Sequence, residues 1–334
     1  MAATSISEEE IGLKQLDGVG PATQEKLEAM GIYTVMELAV RSPYDLVDEQ
    51  DLKSDKAIAL VSKARIYLSE KGVIEKDFVN AAELLKKRQS MERISAGCLS
   101  LDDLLGGGAE TQAITEFYGE FGTGKTSICH TLAAIVQQPK KEGGLDGTAI
   151  YVDTESTFRP ERVEQLAKAR GYDVEKVLKG IVVARAYNSS HQETIVSELG
   201  RVVREHGAKL VVVDSIAAHY RAEFIGRGTL AERQQRLNRM LHMLLRTAEV
   251  YGVAVVVTNQ VLSSPDQFVG NPLHPIGGNV LGHTSTYRIW LRKASKTRIA
   301  RMIDSPYQAE YDATFVLDER GVSDVPQDDQ KSKK

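Results

Sequence analysis

The chain has 334 residues, 42% of them hydrophobic and 26% charged, with 42 Lys+Arg against 46 Asp+Glu for a formal net charge of -4. That length suits roughly two domains of ~150 residues, no run of eighteen apolar residues is present to span a bilayer, and the balanced charge leaves any nucleic-acid contact to local patches. Cys98 and Cys129 cannot staple a chain of this size and read as buried thiols, while the seven histidines show no metal-ligand spacing that would support a zinc site.

The acidic start MAATSISEEE lacks the basic and apolar regions of a secretory signal, so a cytoplasmic location is expected. Residues 1–72 read as a small all-helical module. Thr34 and Glu37 form a capping box, and Pro43 is expected to end that helix. A last helix follows Ser54, with Ala57, Ile58, Val61, Ala64 and Leu68 as its apolar face and Gly72 as its stop. Between them, Leu16-Asp17-Gly18-Val19-Gly20 precedes Pro21, so Gly18 and Gly20 are expected to make a hairpin between helices. Bare backbone N–H groups there could approach a DNA phosphate, as in helix-hairpin-helix modules, although a plain αα-hairpin would use the same residues.

Residues 73–93 form a linker with its own helical stretch, Asn80 to Arg88. From residue 94 to 323 the pattern turns α/β, with strands expected at Ala113–Tyr118, Thr148–Asp153, Ile181–Ala186, Lys209–Asp214 and Val253–Thr258. Their near-continuous Val/Ile/Leu runs mean burial on both faces of a mainly parallel, twisted sheet. Thr286–Lys293, Thr297–Ile303 and Ala313–Leu317 read as an antiparallel extension, and residues 324–334 as a charged, disordered tail.

Gly119-Glu120-Phe121-Gly122-Thr123-Gly124-Lys125-Thr126 matches G-x-x-x-x-G-K-[ST] between a strand and a helix, and with Ser127 makes a candidate nucleotide-binding loop. Backbone N–H groups would wrap a polyphosphate, Lys125 would reach the β- and γ-phosphates, and Thr126 would bind Mg²⁺. Asp214, at the end of a neighbouring strand, is the candidate second metal-side acid, with a helix cap as the alternative. Glu155 is the candidate base for an attacking water, being just past a strand at the carboxyl edge of the sheet; capping the following segment is its alternative. Gln260 closes Thr258-Asn259-Gln260, where an amide could sense a γ-phosphate or simply face solvent.

These motifs, together with Leu101-Asp102-Asp103-Leu104-Leu105-Gly106-Gly107-Gly108, Asp153-Thr154-Glu155, Gly226-Arg227-Gly228 and Pro275-Ile276-Gly277-Gly278-Asn279, resemble the archaeal RadA recombinases of the RecA superfamily over nearly the whole chain. The resemblance implies a RecA-like P-loop ATPase core behind a helix-hairpin-helix domain, with ATP and Mg²⁺ as cofactors. It implies that Glu155 activates water, that Arg162 stacks on adenine and that Gln260 couples nucleotide state to DNA. Two DNA-binding loops correspond to about Ala218–Leu230 and Leu262–His283, carrying Arg221 and Arg227, with Arg233 just after the first and Gly277 and Gly278 in the second. Each arginine could instead be a solvated surface charge. Phe78-Val79-Asn80-Ala81 resembles the F-x-x-A polymerisation motif, in which Phe78 and Ala81 would enter a neighbour's core; packing of Phe78 on its own chain is the alternative. Asp304-Ser305-Pro306 resembles the cap in which Asp304 and Pro306 close on the neighbour's nucleotide. Two departures are the turn Lys293-Ala294-Ser295-Lys296-Thr297 and Asn279, which stands where archaeal members usually carry His.

The implied activity is a DNA-dependent ATPase that polymerises as a filament or ring, binds single- and double-stranded DNA and exchanges strands. Recombination mediators are its implied partners and the nucleoid its location. A regulatory paralog that does not exchange strands is the alternative, and such paralogs often lack the hairpin module or the F-x-x-A segment.

Overall fold

In the computed structural model, which describes residues 11–50, 53–74, 78–263 and 273–326, the chain divides into two compact units, 1–90 and 91–334. The first is built from a 3₁₀ turn at Leu13–Gln15 and five helices, α1 (Pro21–Ala29), α2 (Val35–Ala39), α3 (Pro43–Gln50), α4 (Ser54–Glu70) and α5 (Ala81–Gln89). Leu13, Leu27, Ile32, Leu38, Leu46 and Leu68 meet in its core. The capping box is present: Glu37 N–H donates to Thr34 Oγ1 at 3.1 Å and Thr34 N–H to Glu37 Oε2 at 2.8 Å. Pro43 does not end α2, which stops at Ala39; it opens α3, where a missing N–H costs nothing. Ile58 is 47% exposed, and Leu60 takes its place beside Ala57, Val61, Ala64 and Leu68, because position 58 lies about 100° around the helix from Ala57. Gly18 adopts φ +97°, and extended Gly20 caps α1 ahead of Pro21, so the glycine turn joins a 3₁₀ turn, rather than a full helix, to α1. Helix α5 buries none of its residues.

The second unit runs β1 (Arg93–Ile94), α6 (Leu99–Leu104), β2 (Ala109–Glu110), β3 (Ile114–Gly119), α7 (Lys125–Ile135), β4 (Thr148–Asp153), α8 (Pro160–Arg170), α9 (Val174–Lys179), β5 (Ile181–Arg185) and α10 (Ser189–His206). It continues through β6 (Ala208–Asp214), α11 (Ala218–Glu223), α12 (Leu230–Tyr251), β7 (Ala254–Asn259), β8 (Val261–Ser263), β9 (Leu273–Pro275), α13 (Gly278–Thr284), β10 (Tyr287–Ala294), β11 (Thr297–Asp304), β12 (Asp312–Asp318) and β13 (Gly321–Asp324). Nine strands form one sheet in the order β13-β12-β11-β10-β3-β7-β6-β4-β5, parallel from β10 to β5 and antiparallel from β10 through β13. Residues of α6 to α9 pack on one face and residues of α10 to α13 on the other, the two-sided burial that the apolar runs require. No helix among the described residues is long and apolar enough to cross a membrane.

In the second unit three expectations change, and a fourth falls largely outside the described residues. The strand bearing Asp214, β6, is not adjacent to β3, since β7 lies between them. The first expected loop is mostly ordered as α11 and a 3₁₀ turn at Arg227–Thr229, because Tyr220 is wholly buried and pins the segment. In the second, residues 264–272 lie outside the described residues, and the flanks pair antiparallel as β8 and β9. Asp324 belongs to β13 rather than to a tail: its carboxylate accepts from Leu99 N–H at 2.9 Å and Ser100 N–H at 3.1 Å, capping α6. Residues 327–334 lie outside the described residues. Strands β1, β2, β8, β9 and β13, of two to four residues each, are too short to present a period.

Candidate active site

The glycine-rich loop leaves the carboxyl end of β3 and feeds α7. A Cβ on Gly119 would stand 2.3 Å from the Leu291 carbonyl oxygen, and Gly124, at φ +106°, would drive one to 2.9 Å from Leu317 Cδ1. Only glycine lets this backbone pass. Lys125 Nζ donates to the carbonyls of Gly119 at 2.8 Å and Glu120 at 2.9 Å. Burial pulls its ammonium below the ordinary lysine range, and the Asp214 and Glu155 carboxylates act against that shift. Around it lies a cavity of about 570 Å³, lined among others by Thr126, Ser127, Glu155, Asp214, Ser215 and Gln260.

Asp214 is buried at the end of β6, and its carboxylate gathers three hydroxyls from three elements. Oδ2 accepts from Thr126 at 2.8 Å and from Tyr151 at 2.7 Å, and Oδ1 accepts from Thr258. Burial and this carboxylate push the Tyr151 phenol well above its usual range, so the hydroxyl stays a donor. The hydroxyls aim Asp214 at Thr126 and place two hard oxygens together, the donor chemistry that Mg²⁺ takes.

Beside this pair, Glu155 Oε1 accepts from Ser215 Oγ at 2.6 Å and from Gln260 Nε2 at 2.9 Å, with Oε2 3.1 Å from the same amide. Gln260 Oε1 in turn accepts from Arg221 Nη1 at 3.2 Å. Capping after β4 falls to Asp153, whose carboxylate accepts from the N–H groups of Glu155, Thr157 and Phe158 at 3.1–3.2 Å. Glu155 is thereby left to face the cavity.

The Rad51 family model matches residues 87–325, a span that includes every strand of the sheet and each residue named around the cavity. The chain belongs to the Rad51 family. A relative named DNA repair and recombination protein RadA, from Cenarchaeum symbiosum (strain A), is 52% identical over 318 residues, 95% of this chain and 80% of the relative. As in the family, the core is a RecA-like α/β ATPase fold.

Among the other expected residues of this Rad51 family member, Arg162, Asp304, Pro306 and Arg233 are not among those that line the cavity. The Arg162 guanidinium is bound to the carbonyls of Asp318 and Glu319 and to Gln165, so it reaches the turn after Leu317, which itself lines the cavity. Asp304 ends β11, two strands from β3, and Pro306 follows it in a turn where Ser305 Oγ accepts from Gln308 N–H at 2.9 Å. Phe78 is 93% exposed, and Ala81 starts α5 beside it. Arg227 stands in the 3₁₀ turn ahead of α12, and half-buried Arg233 stands in the first turn of that helix. Gly277 and Gly278 open α13. The sequence gives no role to Tyr151, Asp153, Ser215 or Thr258, although Asp153 and Thr258 stand in quoted motifs; their one further signal is a place near or just past strand ends.

Proposed function

We propose that this protein is a DNA-dependent ATPase that forms helical filaments on single-stranded DNA and carries out homologous pairing and strand exchange in recombination and DNA repair. The observation that carries the reading is the hydrogen-bonded run from Arg221 through Gln260 to Glu155, which links the first candidate DNA segment to the candidate base. The name of the RadA relative and its 52% identity support it.

Bound Mg-ATP would supply a γ-phosphoryl group open to in-line attack, with the metal offsetting its charge. The residues present fit it: the loop glycines leave room for phosphates, and Thr126 and Asp214 would hold the metal directly or through water. Lys125 would exchange its two carbonyl partners for phosphate oxygens. Glu155, steadied by Ser215 and Gln260, would orient a water and accept its proton. Gln260 would report DNA occupancy to Glu155 through Arg221.

Arg221, Arg227 and Arg233, with the backbone at Gly277 and Gly278, would line single-stranded DNA, and the Gly18–Gly20 turn would take duplex phosphate. In this reading residues 1–72 are a DNA-binding domain, 73–93 a polymerising linker and 94–324 the ATPase core. Phe78 and Ala81 would dock on a neighbour, whose nucleotide would lie under Asp304 and Pro306, with Arg162 against its own adenine. The exposed Phe78 and the intact glycine turn favour this over a non-exchanging paralog. A cytoplasmic, nucleoid-associated protein that meets recombination mediators belongs to the same proposal.

Electron microscopy with ATP and single-stranded DNA, paired with a joint-molecule assay, tests it. ATP-dependent helical filaments and joint molecules are expected. Filaments without joint molecules would favour the paralog, and rings that unwind duplex would overturn the proposal.

A further inference from the structure

Helix α11 carries Arg221 toward the cavity, and its other side is held by a cluster of side chains that do not line the cavity. Glu193 projects from α10. Its Oε1 accepts from the Tyr220 phenol and from Arg236 Nε at 2.9 Å, and its Oε2 accepts from Arg236 Nη2 at 3.0 Å. Arg236 comes from α12, donates also to Ser190 Oγ at 3.1 Å, and lies 5.1 Å from the ring centre of Phe224, the C-cap that follows α11. Glu223, the last residue of α11, accepts from Ser189 N–H at 2.7 Å at the start of α10, where a carboxylate meets the positive end of that helix. The Tyr220 ring is wholly buried, and the Glu193 and Arg236 side chains are each 27% exposed.

A six-residue helix has too few internal bonds to hold its own place, so its position is set by what grips it. A two-pronged Arg–carboxylate pair that is mostly shielded from water, joined by a phenol, is a stiff grip with a defined orientation. We propose that Glu193, Tyr220 and Arg236 are positioning residues that clamp α11 between α10 and α12, so that DNA contact at residues 221–230 stimulates hydrolysis instead of being absorbed by movement of the helix. The clamp rests on the function proposed above. None of the three side chains lines the nucleotide cavity.

The test uses the full chain with Mg-ATP, with and without oligo-dT, well below the melting temperature of each variant. Tyr220→Phe removes one hydroxyl and keeps the buried ring; Glu193→Gln removes the charge that Arg236 grips; Arg221→Ala serves as the reference for the DNA route. Basal turnover is expected to stay at the parent value in Tyr220→Phe and Glu193→Gln. The ratio of stimulated to basal turnover should fall about 2- to 30-fold, the range for residues that couple two sites, and more in Glu193→Gln than in Tyr220→Phe. An unchanged ratio in both overturns the clamp; if Arg221→Ala loses stimulation in the same experiment, the proposed function stands without it. Equal loss of basal and stimulated rates marks a merely structural role and also overturns it. A parent chain that DNA does not stimulate overturns the proposed function, and the clamp with it.

Discussion

Glu155→Gln separates chemistry from architecture at the cavity. The substitution exchanges one carboxylate oxygen for NH₂ in a side chain that receives Ser215 Oγ at 2.6 Å and the Gln260 amide at 2.9 and 3.1 Å. The remaining carbonyl oxygen can still accept from both donors, so what is lost is one charge-assisted acceptor on a solvent-facing group. That is worth about 1 kcal/mol or less, a shift of roughly 2–4 °C in a unit of this size. The chemical loss is larger, because an amide cannot take a proton from water. A positioned general base contributes about 10²–10⁴ in rate, or ~2.7–5.5 kcal/mol of activation free energy. Single-turnover ATP hydrolysis, nucleotide titration and thermal melting on the same variant should therefore show a fall of at least about a hundredfold in rate, with binding and melting close to the parent. A rate within tenfold of the parent, or nucleotide affinity lost in step with rate, would refute the assignment of Glu155 as base.

Three other outcomes are expected. Glu116→Ala would strand the Arg288 guanidinium, now 2.8 Å from a fully buried carboxylate, and leave the Asn259 amide with the Ile276 carbonyl as its remaining acceptor, costing about 3–5 kcal/mol in denaturant unfolding; a loss under about 1 kcal/mol would show that water reaches the pair. Phe78→Glu alters a 93% exposed side chain and should leave melting within about 0.5 kcal/mol while light scattering shows monomers, and filaments in that variant would exclude Phe78 as the anchor. Replacing Arg227 and Arg233 together by Ala should flatten the slope of log K against log salt for single-stranded DNA by about 1.4, at ~0.7 per phosphate contact; an unchanged slope would place neither arginine on a phosphate.

The strands and the glycine-rich loop were legible because each is a local pattern: a run of Val and Ile long enough to cross a sheet, or closely spaced glycines between a strand and a helix. Glu155 and Asp214 could be picked out for the same reason, as acids just past such runs. The short strands were not legible, since two to four residues carry no period, and neither was the change of Pro43 from terminator to first residue of α3. Asp324 read as tail because its charge matches the residues after it; its bonds to Leu99 and Ser100 join positions more than two hundred residues apart.

Composition and periodicity by themselves determined the α/β class, the helical first unit and the two-sided burial of the sheet, and motif spacing marked the glycine-rich turn at residues 119–126. Tertiary structure alone decided the strand order, with β7 between β3 and β6, and thereby which strand ends share an edge. That order brings Tyr151, Thr258 and Thr126 to one carboxylate, turns Glu155 to Ser215 and Gln260, and sets Arg221 on Gln260. The physical reason is range: backbone preference and burial are written over a few neighbouring residues, whereas a hydrogen bond between side chains 39 to 105 positions apart exists only after the sheet has brought them within 3 Å or so.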